Sequence, residues 1–420
     1  MKNEWKEYKV KEFAQVIGGG TPNTTIDEFW DGDIPWITPK DLSSNTEIFV
    51  EKGERFITSD GLNNSSAKIL PPGSILLSTR APVGYLAISK VPLATNQGFR
   101  NLILKEGFSS KFIYYLLKNN VSYLQSNASG TTFSELSGSV LQSLKFKIPP
   151  LHIQERIADI LGTLDDKIEL NQQMNKTLEN MARAIFKSWF VDFEPVYAKM
   201  EGRDYPLPAE IMGLFPDELV DSELGLIPRG WRVSKINDVI ETVGGGTPST
   251  KEPEYWDNGV YHFATPKDLS NLSASILINT ERKVTDTGLG KISSGLLEKG
   301  TVLMSSRAPV GYLAITDIPV CINQGFIAMK CNKNLSNFYM LNWAKYNLLE
   351  IKGRASGTTF TEINKRTFRI MEVLEPPQYI VQEYDGIVTS VYKKIIINLH
   401  KNITLEKSRD SLLPKLINGG

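Results

Sequence analysis

Cysteine and histidine are scarce in this chain of 420 residues: two cysteines, Cys321 and Cys331, and three histidines, His152, His262 and His400. They are scattered, with no companions at the spacing of metal ligands, so a zinc or iron–sulfur centre is not expected. The two cysteines are expected to be reduced core thiols. No apolar run approaches the roughly 18–20 residues needed to cross a bilayer, which excludes a spanning helix. The charged start Met1-Lys-Asn-Glu-Trp-Lys6 lacks the apolar core of an export signal, so the expected compartment is the cytoplasm. Net charge is also missing, since 47 basic residues cancel 47 acidic ones. A chain that gripped nucleic acid unaided would show a basic excess, so any such grip needs local charge segregation or a partner.

Catalytic signatures are missing as well. Gly18-Gly-Gly20 and Gly244-Gly-Gly246 are not followed by Gly-Lys-Ser/Thr and open no G-x-G-x-x-G helix, so they read as tight turns. There is no G-x-S-x-G elbow. No Asn/Asp-Pro-Pro-Tyr-like run, the mark of amino-methylating DNA enzymes, occurs; Pro149-Pro150 lacks the preceding Asn or Asp. A binding protein is the stronger expectation, and an enzyme the weaker.

What the chain does have is repetition. Thr38-Pro-Lys-Asp-Leu-Ser43 returns as Thr265 to Ser270, and Arg80-Ala-Pro-Val-Gly-Tyr-Leu-Ala-Ile88 as Arg307 to Ile315. Asn96-Gln-Gly-Phe99 returns as Asn323 to Phe326, and Ser129-Gly-Thr-Thr-Phe133 as Ser356 to Phe360, always 227 residues later. Solenoid repeats run at roughly 20–50 residues, so this period is a whole domain with a connector. Each copy carries short strand-like runs, such as Ser74 to Ser78 and Thr301 to Ser305. Each also carries a helical segment, Lys111 to Leu117 or Asn337 to Trp343. We read each as a mixed α/β module of about 145 residues.

Both copies end in Pro-Pro, at Pro149-Pro150 and Pro376-Pro377, and a long helix is expected after each. Ile157, Leu161, Leu164, Ile168, Asn171, Asn175, Leu178, Ala182, Ile185 and Trp189 alternate at spacings of four and three, the seam of a coiled coil. The second seam is Tyr384, Val388, Val391, Ile395, Asn398, Asn402, Leu405, Arg409 and Leu412, with Arg409 standing in an apolar place. Asn171, Asn175, Asn398 and Asn402 occupy matching seam positions, where a buried amide fixes register; the alternative is a polar window in an exposed helix. A helix of about 38 residues spans roughly 57 Å. Two such helices, antiparallel because each leads away from its own module, form a spacer.

The expected fold is therefore α+β, with pseudo-two-fold internal symmetry. Residues 1–150 form the first module, 151–192 the central spacer helix and 193–230 an extended, turn-rich linker. Residues 231–376 form the second module and 377–416 the distal spacer helix.

The repeated blocks are rich in side chains that serve phosphates and base edges. The candidate DNA contacts are Thr38, Lys40, Arg80, Asn96, Gln97, Arg100, Thr131 and Thr132. In the second copy they are Thr265, Lys267, Arg307, Asn323, Gln324, Thr358 and Thr359. The stretch Ser78 to Arg100 holds Arg80, Lys90 and Arg100 without an acidic residue, and Ser305 to Lys330 has only Asp317 opposing Arg307 and Lys330. This reads as the charge segregation that the neutral total conceals. The structural alternative is that Arg-Ala-Pro-Val-Gly is a turn whose arginine binds carbonyl oxygens.

These blocks resemble those of target-recognition domains in the DNA-specificity subunits of type I restriction–modification enzymes. Phe186-Lys-Ser-Trp-Phe-Val-Asp-Phe-Glu-Pro195, Leu214-Phe-Pro-Asp-Glu218, Asp221-Ser-Glu-Leu-Gly225 and Ile227-Pro-Arg-Gly-Trp231 resemble that family's central region, and the likeness runs through the whole chain. The resemblance implies that each module reads one half of a split site on double-stranded DNA. It implies that the helices set the spacing and dock two methyltransferase subunits, which carry S-adenosylmethionine and methylate adenine on each strand. Two translocating restriction subunits, using ATP and Mg, would complete a host-defence complex. The chain itself would hold no cofactor, no metal and no catalytic residue. The alternatives are a self-contained DNA-modifying enzyme and an assembly scaffold that does not touch DNA.

If the half-sites differ, identical residues cannot distinguish them. Discrimination is then expected where the copies diverge: Ile34 to Ile37 against Tyr261 to Ala264, Asn45 to Phe56 against Leu272 to Lys283, and Arg100 against Ile327.

Overall fold

The computed structural model describes residues 4–43, 47–80, 82–129, 135–307, 309–357 and 361–419. The chain divides into two compact units, Met1–Leu170 with Lys401–Gly420, and Asn171–His400.

In the first unit, β1 (Lys6–Lys9) leads through a one-turn helix to β2 (Ala14–Gly18) and β3 (Trp30–Ile37). Next come β4 (Phe49–Val50), β5 (Arg55–Ile57), β6 (Ile75–Thr79) and β7 (Val83–Ser89), then β8 (Ala94–Thr95) and β9 (Arg100–Leu104). Helix Ser110–Asn119 is capped by the Ser109 hydroxyl, and β10 (Lys145–Ile148) returns to pair with β1. The five-stranded sheet has the order β2-β9-β6-β7-β4 and a smaller sheet the order β5-β3-β8. β6 is buried along its whole length, as its continuous apolar run requires, and helix Ser110–Asn119 covers it with Phe112, Ile113 and Leu116.

The second unit repeats this plan. The hairpin of β11 (Leu219–Ser222) and β12 (Gly225–Pro228) precedes β13 (Arg232–Lys235), β14 (Glu241–Gly244), β15 (Tyr261–Ala264), β16 (Ile276–Leu277) and β17 (Arg282–Val284). β18 (Val302–Ser305), β19 (Leu313–Thr316), β20 (Val320–Ile322), β21 (Phe326–Lys330) and β22 (Glu372–Glu375) follow. The order β14-β21-β18-β19-β16, the sheet β17-β15-β20 and the pair β13-β22 match the first unit strand for strand. The expected α+β duplication is thus the observed fold.

The long helices are Leu151–Phe190 and Gln378–Ile417, each 40 residues. Within each unit, the partners along the two helices run in opposite directions. In the first unit Asp165 meets Arg409, and Asn402 donates to the Ile168 carbonyl. In the second unit Asn398 donates to Asn175 Oδ1 at 2.9 Å. Asn175, Asn398 and Asn402 are buried, whereas Asn171 is half-buried. The seam continues past Arg409, because Asp165 accepts its guanidinium at 2.5 Å and Leu413 and Ile417 pack into the core of the first unit.

One expectation fails outright. Residues 193–230 are not an extended connector: they form helices Glu194–Glu201 and Ala209–Leu214 and the β11–β12 hairpin. Burial drives this folding. Val196, Phe215 and Ile227 enter one cluster with Phe190 and Trp231, and the Phe215 ring meets Trp189 edge-on at 5.1 Å.

Candidate nucleic-acid interface

The shared blocks lie far apart in sequence, yet backbone hydrogen bonds link them at one edge of each module. In the first, Gly20 N–H donates to Thr95 O and Trp36 Nε1 donates to Gly20 O, both at 2.9 Å. This draws the triple-glycine turn onto the Asn96 turn so closely that a Cβ on Gly19 would stand 1.9 Å from the Asn96 carbonyl oxygen. Asn96 N–H bonds to Ile37 O, Thr79 N–H to Gly98 O, and Leu136 N–H to Thr79 O. Ser129 and Glu135 then pair through their backbones. The second module repeats the chain through Gly246, Asn323, Ser306, Gly325 and Ile363, and a Cβ on Gly245 would stand 1.8 Å from the Ile322 carbonyl oxygen. Glycine is required at both positions because the neighbour is backbone and cannot turn aside.

Several candidate contacts are committed to building this edge. Thr38 donates its N–H and hydroxyl to Asp41 Oδ2, at 2.7 and 2.5 Å, and Thr265 does the same to Asp268 at 2.8 and 2.7 Å. This is a capping interaction that starts helices Pro39–Ser43 and Pro266–Ser270. Asp41 and Asp268 also accept the backbone N–H of Glu54 and Glu281. Those glutamates in turn pair with the exposed Lys40 and Lys267, raising both lysine pKa values by hydrogen bonding and then charge. Asn96 and Asn323 accept N–H from Gly98 and Gly325, which shapes their turns. Gln97 and Gln324 are exposed and accept the hydroxyls of Thr21 and Thr247, tying them to the glycine turns.

The arginines behave differently. The Arg-Ala-Pro-Val-Gly loops are held by a buried serine, Ser78 or Ser305, which donates to Pro82 or Pro309 O and accepts N–H from Tyr85 or Tyr312. The loop is therefore built without its arginine. Arg80 is half-exposed, and among the described residues its guanidinium has no partner; Arg307 stands 4.0 Å from Glu362. Arg100 instead binds the Phe99 carbonyl and Glu135, a structural engagement that its counterpart Ile327, fully buried, does not share. Thr131, Thr132, Thr358 and Thr359 lie outside the described residues, as do Asn45 and Thr46 of one divergent stretch.

The charge segregation read along the sequence is not kept in space. Lys90 pairs with Glu51, Arg100 with Glu135 and Lys330 with Glu241, because the fold brings acidic residues from distant segments. In the divergent strands, Trp36, Ile37, Phe263 and Ala264 are buried, leaving Ile34 and Pro35 against Tyr261 and His262 as the more accessible differences. Tyr261 donates to Asp286 at 2.7 Å, and His262 Nδ1 lies 3.0 Å from the Thr280 hydroxyl. Burial, then the Lys283 charge, pushes the His262 pKa down, so the ring stays neutral at neutral pH.

One pair escaped sequence reading. Arg55 and Arg282, identical letters 227 positions apart, lie over tryptophan rings: Arg55 Cζ is 3.4 Å from the Trp30 centroid and Arg282 Cζ 3.5 Å from that of Trp256. The repeat spacing alone could have found the arginines, although they fall within a stretch set aside as divergent.

Among the described residues no three His, Cys, Asp or Glu side chains gather as a metal site would, and no helix is long and apolar enough to cross a membrane. Burial pushes the Cys321 thiol up to about 12, and burial with Asp385 does the same to Cys331; both are free thiols with little thiolate character.

The duplication matches a known protein family. The type I restriction modification DNA specificity domain matches residues 2–180 and again 228–407. The chain belongs to this family. Its relatives include the MjaIX specificity subunit of Methanocaldococcus jannaschii, 34% identical over 99% of this chain and 93% of the relative. The HindI specificity subunit of Haemophilus influenzae is 30% identical over 99% of each chain. The crystal structure of the type I restriction-modification S subunit from M. genitalium shares the fold, with a TM-score of 0.56 over 98% of this chain and 96% of that one, at 15% identity. Within this family, the two matched regions each contain one module and most of one long helix.

Proposed function

We propose that this chain is the DNA-reading subunit of a type I restriction–modification complex, with each module reading one half of a split site. The observation that carries this reading is the convergence of the same five blocks at one edge of both modules, in a chain whose whole length matches specificity subunits. Each edge presents turns, a helix start and an arginine loop, an assembly suited to phosphate and base-edge contacts. The two long antiparallel helices set the separation of the half-sites and dock two methyltransferase subunits. Asn175, Asn398 and Asn402 fix their register, because a slipped pairing strands a buried amide. Chemistry belongs to the partners: S-adenosylmethionine and adenine methylation to the methyltransferases, ATP, Mg and cleavage to the restriction subunits. The setting is the cytoplasm, where the DNA is.

The test is reconstitution with the methyltransferase subunits. Sequence-selective DNA binding that weakens with salt, and S-adenosylmethionine binding only after the methyltransferase is added, are the expected outcomes. Binding of S-adenosylmethionine by this chain alone would point to a self-contained enzyme instead. Absence of DNA selectivity in the assembled complex would leave only a scaffold.

A further inference from the structure

We infer that Arg55 and Arg282 grip DNA phosphates, one in each module, from a tryptophan platform that holds the guanidinium ready; the inference rests on the DNA-reading role proposed above.

The same stacked geometry is built in the same way in both modules. Trp30 follows the short helix Asp27–Phe29 at the start of β3 and fixes its ring by donating Nε1–H to Asn23 O at 3.2 Å. Trp256 follows the short helix Pro253–Tyr255 and donates to Ser249 O at 2.9 Å. Each tryptophan lies twelve residues after the first glycine of its turn, Gly18 or Gly244, and precedes an aspartate, so the two positions are equivalent.

Charge separates these arginines from their neighbours. Lys40 and Lys267 are paired with Glu54 and Glu281, the residues immediately before the arginines. Arg55 and Arg282 are exposed, and among the described residues neither guanidinium makes an ion pair or hydrogen bond. Each is therefore an uncompensated cation.

Placement ties them to the candidate edge. Arg55 lies in register with Trp36, and Arg282 with Phe263, each two residues before the Thr38 or Thr265 helix cap. A guanidinium resting one face on an indole keeps its N–H edge open, and that planar fork matches a phosphate. Stacking also restricts the side chain in advance, so less freedom is lost when the contact forms.

Identity across the copies favours phosphate over base. The side chains around the arginine differ between modules, with Ile34, Pro35 and Trp36 replaced by Tyr261, His262 and Phe263. A residue unchanged amid such differences fits the part of DNA that is the same at both half-sites.

The experiment uses the complex of the full chain with its methyltransferase subunits, binding cognate and unrelated duplexes across a NaCl series from about 50 to 200 mM. Arg55→Ala and Arg282→Ala should each flatten the slope of log K against log salt by about 0.9, so that the affinity lost across this range shrinks about 3- to 4-fold, and about 12-fold in the double variant. Both duplexes should be affected alike, and the methylated sequence should not change. Arg55→Lys should keep the slope. Arg55→Gln, whose stem still covers Trp30, replaces the alanine variant if that one fails to fold. An unchanged slope beside a normal wild-type complex overturns the inference, because the arginine then only covers its tryptophan. A changed methylated sequence also overturns it, in favour of a base contact. If the wild-type complex itself shows no salt-dependent selectivity, the DNA-reading role fails, and not this inference alone.

Discussion

Replacing Arg409 with alanine probes how the second long helix is fixed within the first unit. Arg409 Nη1 lies 2.5 Å from Asp165 Oδ1, and the other carboxylate oxygen accepts the Tyr115 hydroxyl at 2.5 Å. The two charged side chains are only 15% and 11% exposed. Burial, then the Asp165 charge, raises the Tyr115 pKa, so the phenol stays a donor. In Arg409→Ala the Asp165 carboxylate keeps Tyr115 but loses its cation in a poorly solvated place. Breaking a fully buried pair costs about 3–5 kcal/mol, so slight exposure suggests about 3 kcal/mol here. For a unit of this size that corresponds to a fall of about 6–12 °C in the melting transition, measured by calorimetry at pH 7. Asp165→Asn combined with Arg409→Leu should recover at least half of the loss, since the amide oxygen still accepts from Tyr115 and no charge is stranded. A single variant within about 0.5 kcal/mol of wild type would refute the reasoning, because the pair would then behave as a solvent-exposed one.

Asp385 gives a pH test: burial pushes its carboxyl up to about 6, against the lowering effect of the Ser336 hydroxyl that donates to it at 2.7 Å. Between about pH 4 and 6 the folded chain holds this proton more tightly than the unfolded one, so this group's contribution to stability falls as pH rises through that window and is flat above it. Asp385→Asn should remove the decline and add about 1–2 kcal/mol at pH 7, read from urea unfolding at several pH values; a loss of stability would contradict this. Gly19→Ala and Gly245→Ala each drive a Cβ into a carbonyl oxygen, at 1.9 and 1.8 Å, and should cost about 2–3 kcal/mol and impair methylation at the half-site of the altered module. Unimpaired methylation in both would detach these turns from recognition. Exchanging only Ile34 to Ile37 and Asn45 to Phe56 with Tyr261 to Ala264 and Leu272 to Lys283 should change the methylated half-site; an unchanged sequence would place discrimination elsewhere.

Much of this architecture is legible in the letters because duplication doubles each weak pattern. The seam residues recur with the same spacing after each Pro-Pro, and packing obeys that spacing through Ile157, Leu161, Tyr384 and Val388. The Thr-x-x-Asp caps follow from a local rule and are legible at both copies. Three features were hidden for separate reasons. The folded connector buries Val196, Phe215 and Ile227, but each of these adjoins a proline and together they show no period. Of the charges along Ser78 to Arg100, Lys90 and Arg100 are neutralised by Glu51 and Glu135, partners that only tertiary structure supplies. The stacked arginines depend on tryptophans that fall one place off the 227-residue spacing, because the copies differ by one residue between Trp30 and Thr38, so the fixed offset conceals the match. At the candidate interface, the sequence picks out the shared blocks but not the division of labour within them: Thr38, Asn96, Gln97 and their counterparts shape the edge, while Arg80, Arg55 and Arg282 are presented by it.

Mapping N6-methyladenine over DNA modified by this chain with its methyltransferase tests most directly whether its two modules read the two halves of a split site. A split site read in this way gives two methylated adenines on opposite strands at one fixed separation, flanked by two constant half-sites. Methylated adenines scattered over many separations, or a single uninterrupted site, would contradict it.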